Sequence, residues 1–162
     1  MDLQMNNNYP RGFTKHDILL HNLITQFCSE VVGTISFVSV DAKQISLSWC
    51  HLMATVVGDT LPVRVVDGSW RKRFMHSWVE TPRGHVIDVS PVGCRSHPVM
   101  YPGKALVFHE GVYHELIADI RNSEKFQVAY ASVMKQANEI RTKYQFTYLV
   151  LCKKYRIKPH AL

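Results

Sequence analysis

The chain has 162 residues, 46% of them hydrophobic and 20% charged, with a formal net charge of +6 and a pI near 9.2. That length buries one core and is short for two, and no apolar run approaches the roughly 20 residues that a membrane-spanning helix needs, so neither a second domain nor a membrane is expected. The basic residues are scattered apart from Arg71-Lys72-Arg73 and Lys153-Lys154; a nucleic-acid partner is therefore not expected, and the charge reads as solubility or attraction to an acidic substrate. Cys28, Cys50, Cys94 and Cys152 lie far apart with neither a CxxC pair nor zinc-type spacing. Spacing alone leaves a disulfide framework open, but free thiols in a reducing compartment, the cytoplasm, fit better. Residues 1–13 are polar, lack the order of a secretory signal and read as a flexible leader; 14–162 read as a single domain.

Thr14 followed by Asp17 resembles a helix start, and Ile18, Leu19, Leu20, Leu23, Ile24 and Phe27 continue at helical spacing to about Val31. Thr34 to Val40 is rich in β-branched and aromatic residues and suits a short strand or an extended connection. Trp49 to Val57 reads as a short buried helix stopping at Gly58-Asp59, with Cys50 in its first turn. Period-two patterning then predicts strands over Val63 to Val66, Phe74 to Thr81 and His85 to Val89, the last two joined in a hairpin through Pro82-Arg83-Gly84. A loop from Pro91 to Gly103 leads to a strand over Ala105 to His109 and to a helix capped by Ser123 that runs through Tyr130, Val133, Met134, Ala137 and Ile140. Phe146 to Ile157 reads as a closing strand. Helices gathered on one side of an antiparallel sheet make an α+β domain.

The thiolate is the nucleophilic form of cysteine, and a helix N-terminus favours it through unpaired N–H groups and the helix dipole. Cys50 is placed for that effect; Cys28, near a helix end, and Cys152, in an apolar strand, read as structural, and Cys94 falls in a loop. A cysteine nucleophile also needs an imidazole base held by a third group. A turn centred near Pro82 pairs residues whose numbers sum to about 164 or 165, which makes His76 and Asp88 cross-strand neighbours. Asp88 between Ile87 and Val89 is the most telling of the three, because a carboxylate on an apolar strand costs several kcal/mol unless paired. His51 follows Cys50 directly, but consecutive helix residues point about 100° apart, so it is not expected to act as its base. His85 reads as exposed beside Gly84. His97, His109, His114 and Glu115 lack a recognised metal-ligand spacing, and Tyr101, Tyr113 and Trp70 suit a substrate groove or core packing.

The segments Ser-Trp-Cys50-His-Leu-Met-Ala, Leu61-Pro-Val-Arg-Val-Val-Asp-Gly68, His76-Ser-Trp-Val-Glu80 and Val86-Ile-Asp88-Val-Ser-Pro91 resemble, in order and spacing, the pattern of transglutaminase-like domains of the papain-like cysteine protease class. The resemblance covers residues 44 to 91, and its most specific parts are the histidine and aspartate strands. It implies a papain-like core in which a helix bearing the cysteine packs on an antiparallel sheet bearing histidine and aspartate. Cys50 would be the nucleophile, His76 the general base and acid, and Asp88 the residue that orients His76. Trp78 and Glu80 would support the hairpin, Trp49 and Trp78 would line a substrate groove, and Gln44 would join the backbone N–H of Cys50 in an oxyanion hole. Ser48 and Trp49 stand where the family has a small residue before the cysteine, and Ser-Pro follows the aspartate where it often has Pro-Thr.

The implied chemistry is acyl transfer through a thioester on a protein or peptide substrate, without metal or cofactor. With no calcium-type acidic loop, hydrolysis by a protease or amidase is favoured over transamidation, and a partner protein that presents the substrate is a further possibility. Two alternatives remain: acyl-CoA-dependent transfer of the arylamine acetyltransferase kind, whose cysteine-to-histidine interval is longer than here, and a non-catalytic module that keeps the fold to bind a protein or peptide.

Overall fold

The computed structural model describes residues 12–35, 42–90, 98–103 and 107–159, the side chains of 33–35 and 42–48 excepted. Within them the chain is an α+β domain of five helices and one five-stranded antiparallel sheet. The order is α1 (Lys15–Ile35), α2 (Ala42–Thr60), β1 (Arg64–Trp70), β2 (Phe74–Glu80), β3 (Val86–Asp88), β4 (Val99–Tyr101), β5 (Phe108–Glu110), α3 (His114–Asn122), α4 (Glu124–Lys143) and α5 (Gln145–Tyr155). No described helix is long and apolar enough to cross a membrane.

Helix α1 starts as its sequence dictates. The backbone N–H of Thr14 donates to Asp17 Oδ2 at 2.7 Å and that of Asp17 donates to Thr14 Oγ1 at 3.3 Å, a reciprocal pair that satisfies two free amides. Asp17 is fully buried, and it also takes hydrogen bonds from Arg83 at 2.7 Å and Tyr155 at 3.1 Å, joining the first helix to the β2–β3 turn and to the last helix. His85, expected at the surface, is buried in this junction, where its Nδ1 accepts from Gly103 N–H at 3.0 Å.

The strands run in the order β4-β3-β2-β1-β5. Alternation along them sends Val65, Val79 and Ile87 into the main core, against Leu23 and Phe27 of α1, Met53 and Val57 of α2, and Val133 and Ala137 of α4. Val66, Trp78 and Val86 point to the other face and pack with Tyr101 and Phe108 in a smaller apolar cluster. Helix α2 is the central element, lying against β1 and β2 on one side and α4 on the other. Gly68 lets β1 meet β5 closely, for a Cβ there would stand 2.1 Å from the backbone oxygen of His109.

Four expectations need correction. Helix α2 begins at Ala42, not Trp49, and continues through Gly58-Asp59 to Thr60, so Cys50 lies in its interior and not in its first turn. The segment read as a loop from Pro91 to Gly103 contains strand β4, which completes the sheet beside β3. Helix α3, absent from the sequence reading, precedes α4, whose cap is as expected: Ser123 Oγ accepts from Phe126 N–H. The closing segment is helix α5 rather than a strand. Tyr148, Leu151 and Cys152, spaced three and four apart, are its buried face, while Phe146, Leu149 and Val150 are exposed. A short apolar run carries both periodicities, and here the packing against α1 and α4 decides between them. The stretch expected to be extended from Thr34 to Val40 ends α1 at Ile35, and its remainder lies outside the described residues, as do Cys94 and His97.

Candidate active site

Strand β2 carries His76, and β3 carries Asp88. Val79 pairs with Ile87 and Glu80 with Val86, a register that continues to place Asp88 opposite Trp78. His76 and Asp88 are thus diagonal neighbours on one face rather than direct partners, and a diagonal pair is within reach of long side chains. The His76 Nε2–H donates to Asp88 Oδ1 at 2.9 Å, with both side chains 2% exposed. The same oxygen accepts the backbone N–H of Ser90 at 3.1 Å, which fixes the carboxylate from the strand end. With Nε2 bound to Asp88, Nδ1 is the ring atom left to meet a thiol.

Cys50 supplies that thiol. It is half-buried on α2 and interacts with the imidazoles of both His76 and His51. Burial pushes the Cys50 thiol up, but hydrogen bonding and charge from His51 and His76 outweigh it and bring it down to about 6. Burial pushes His76 down, and Asp88 and Cys50 more than reverse this, raising the ring to about 9. Between those two values the stable form is a thiolate beside an imidazolium, which is the reactive form of a cysteine nucleophile. The other described cysteines differ. Burial alone lifts Cys28 to about 12, and burial outweighs a hydrogen bond from Tyr148 to raise Cys152.

His51 is the residue that sequence reasoning set aside. A separation of about 100° is less than half a turn, so both side chains stay on the sheet side of α2. His51 is fully buried, and its Nδ1 lies 2.7 Å from the hydroxyl of Ser77. Ser77 donates to Asp67 Oδ1 at 2.6 Å, and Arg121 at the end of α3 grips both oxygens of Asp67, one of them at 2.7 Å. Asp67 was legible by the argument applied to Asp88, a carboxylate inside an apolar strand; nothing in the sequence pointed to Arg121.

Of the other expected site residues, Trp78 is buried behind His76, and Phe108 packs on both, with ring centroids 5.0 Å from Trp78 and 6.2 Å from His76. These aromatics border a cavity of about 400 Å³ lined by Trp78, Glu80, Val86, Phe108, His109, Glu110 and Val112. Arg64 bonds Glu80 at 2.7 Å and Glu110 at 3.0 Å, so the two carboxylates share one cation at the cavity wall. Trp49 packs half-buried against the main core. Gln44 belongs to α2, but its side chain lies outside the described residues. The backbone N–H of Cys50, in a helix interior, is committed to the helical ladder, which removes it as an oxyanion donor.

Comparison of the chain with protein-family models, with curated proteins and with solved structures finds no match to any of them.

Proposed function

We propose that this protein is a cysteine-dependent hydrolase of peptide or amide bonds, with a transglutaminase-like, papain-type arrangement of Cys50, His76 and Asp88. The observation that carries the proposal is a half-buried thiol lowered to about 6 beside an imidazole raised to about 9 and tied to a buried carboxylate. The thiolate of Cys50 attacks the carbonyl carbon, and the electron pair of the C=O bond moves to oxygen. As the tetrahedral species collapses, the C–N bond breaks, and the His76 imidazolium gives its Nδ1 proton to the departing amine, leaving a thioester. Water then attacks the thioester while neutral His76 takes its proton, and release of the acid regenerates the thiolate–imidazolium pair. Asp88 keeps His76 in the orientation and tautomer that both steps need.

The test is turnover of a library of peptide amides, with intact-mass detection of an acyl-enzyme on Cys50. Replacing Cys50 with Ala is expected to lower turnover by several orders of magnitude and to abolish the adduct; undiminished turnover in that variant would refute the mechanism. Adding a primary amine distinguishes transamidation from hydrolysis by the product mass. A second reading, a peptide-binding module without catalysis, is favoured by one observation. Cys50 sits inside α2, where its N–H is not free to hold an oxyanion. A thiol that reacts no differently from an ordinary cysteine would bring that reading forward.

A further inference from the structure

We propose that the cavity on the Trp78 face of the sheet is a binding site for a guanidinium or ammonium group carried on an apolar stem, with Trp78 and Phe108 along the stem and Glu80 and Glu110 at the cation. Cys50, His76 and Asp88 are not among the residues that line it, so the inference goes beyond the cysteine-enzyme reading and does not depend on it.

The register brings the lining together. Arg64 pairs with Glu80, Glu80 with Val86 and Gly68 with Glu110, so Arg64, Trp78, Glu80, Val86, Phe108 and Glu110 alternate to one face of the sheet. The edge strands β4 and β5 stand at opposite ends of the strand order, yet Tyr101 of one and Phe108 of the other meet with ring centroids 5.4 Å apart, so the sheet curls until its edges approach over this face. Trp78 and Val86, each 1% exposed, form the floor of the cavity, and the exposed Glu110 and Val112 stand at its rim. Its volume of about 400 Å³ lies at the lower end of the range for small-molecule sites, which suits a single side chain or a molecule of that size.

The wall is acidic. Arg64, whose side chain is 57% exposed and does not line the cavity, reaches Glu80 with one terminal nitrogen at 2.7 Å and Glu110 with the other at 3.0 Å. The two carboxylates thus stand a guanidinium's width apart, and together with Arg64 they leave one negative charge in surplus, in a chain whose net charge is +6. That sign opposes an anion and favours a cation. Trp78 and Phe108 supply aromatic surface that packs an alkyl stem and attracts a cation through its π system. The indole N–H of Trp78 is fully buried and has no acceptor among the described residues, a cost that an oxygen beside the cation on the ligand would remove. No three His, Cys, Asp or Glu side chains among the described residues gather as metal ligands, and His109 of the lining is included in that statement, so the surplus charge is matched to an organic cation.

The experiment is a titration of the isotope-labelled protein read by NMR at the indole N–H of Trp78, one of three tryptophans, with its resonance identified by its absence in Trp78→Phe. N-acetylarginine methylamide supplies the cation, the stem and carbonyl oxygens, the citrulline analogue has the same shape without the charge, and agmatine has the guanidinium and stem without a carbonyl. The arginine probe is expected to shift the indole resonance saturably, and the citrulline analogue to bind at least about tenfold more weakly. Glu110→Gln is expected to weaken the arginine probe, and Arg64→Gln to strengthen it by removing the competing guanidinium, an effect that a merely structural ion pair would not give. Agmatine binding as tightly as the arginine probe assigns the site to a free amine, and weaker agmatine binding assigns it to a residue of a peptide; both support the cation site. An indole resonance that moves with neither cation, or that responds equally to the citrulline analogue, overturns it. An affinity that Glu110→Gln leaves unchanged overturns it as well, and that variant stands by itself if Arg64→Gln does not fold by circular dichroism. The readout is equilibrium binding and not turnover, so each of these failures leaves the cysteine-enzyme reading standing.

Discussion

Replacing Asp88 with Asn separates charge from geometry at the centre of the site. Asp88 Oδ1 accepts from both His76 and the Ser90 amide, and the carbonyl oxygen of Asn can accept both bonds while its NH₂ takes the place of Oδ2. What is lost is the negative charge. His76 stands at about 9 against an ordinary 6.5, which corresponds to about 3 kcal/mol of preference for the imidazolium at roughly 1.4 kcal/mol per unit. Asp88 and the Cys50 thiolate supply this against burial, with Asp88 the larger of the two. The substitution is therefore expected to lower His76 by one to two units, and to raise the midpoint of Cys50, which loses part of its cationic partner. The assay is an NMR titration of the His76 ring from acid to alkaline pH, with the resonance identified by its absence in His76→Gln. Because the folded pKa exceeds the unfolded value, the stabilisation from His76 is fully present below about 6.5 and is lost as pH rises through about 9. The difference in unfolding free energy between wild type and variant should be about 2 kcal/mol at the acid end of that window and shrink above it. A His76 that titrates within half a unit of wild type in the variant would refute the assignment of Asp88 as its electrostatic partner.

Native alkylation at neutral pH is expected to label Cys50 ahead of Cys28 and Cys152, both of which are buried with raised thiols; peptide mapping after a timed quench checks the order. Asp17→Asn is expected to lower stability by about 3 kcal/mol, because it leaves Arg83 and Tyr155 without their buried carboxylate. Burial pushes the Asp17 carboxyl up, but hydrogen bonds from Thr14 and Tyr155 and the charge of Arg83 bring it below the usual carboxylate range. Its contribution is therefore present above the ordinary carboxylate pKa and lost as pH falls below it, and denaturant titrations at neutral and acid pH should show the two proteins converging. Gly68→Ala is expected to cost about 2 kcal/mol or more, since the new Cβ meets backbone at His109 that cannot move without parting β1 from β5; thermal unfolding measures it.

What the sequence disclosed was local and periodic. The Thr14–Asp17 start, the Ser123 cap and the β2–β3 hairpin were legible because each is written in neighbouring residues. The meeting of His76 and Asp88 was legible because the side chains of a hairpin share a face at fixed steps, although the actual register made them diagonal rather than opposite. Helix α5 was misread because Phe146 to Cys152 is apolar at nearly every position, which erases the period that would have told helix from strand. The start of α2 was misread because Ile45 and Leu47, two apart, set no helical stripe before Trp49, and the Asp41–Gln44 spacing, which resembles a helix start, was passed over. The Asp67–Arg121 pair joins a strand to a helix more than fifty positions further on, and no local pattern announces a contact of that kind.

The position of Cys50 leaves the lowering of its thiol to the histidines beside it. At a helix N-terminus, free amides and the dipole would lower a thiol without help, but their effect fades within the first turn, and Cys50 lies about two turns from the start of α2. Burial, the largest influence on this thiol, works against ionisation. Hydrogen bonds to the sulfur and nearby charge reverse that sign. Both rings lower the thiol, and each has a polar partner behind it: Asp88 for His76, and Ser77 with Asp67 for His51.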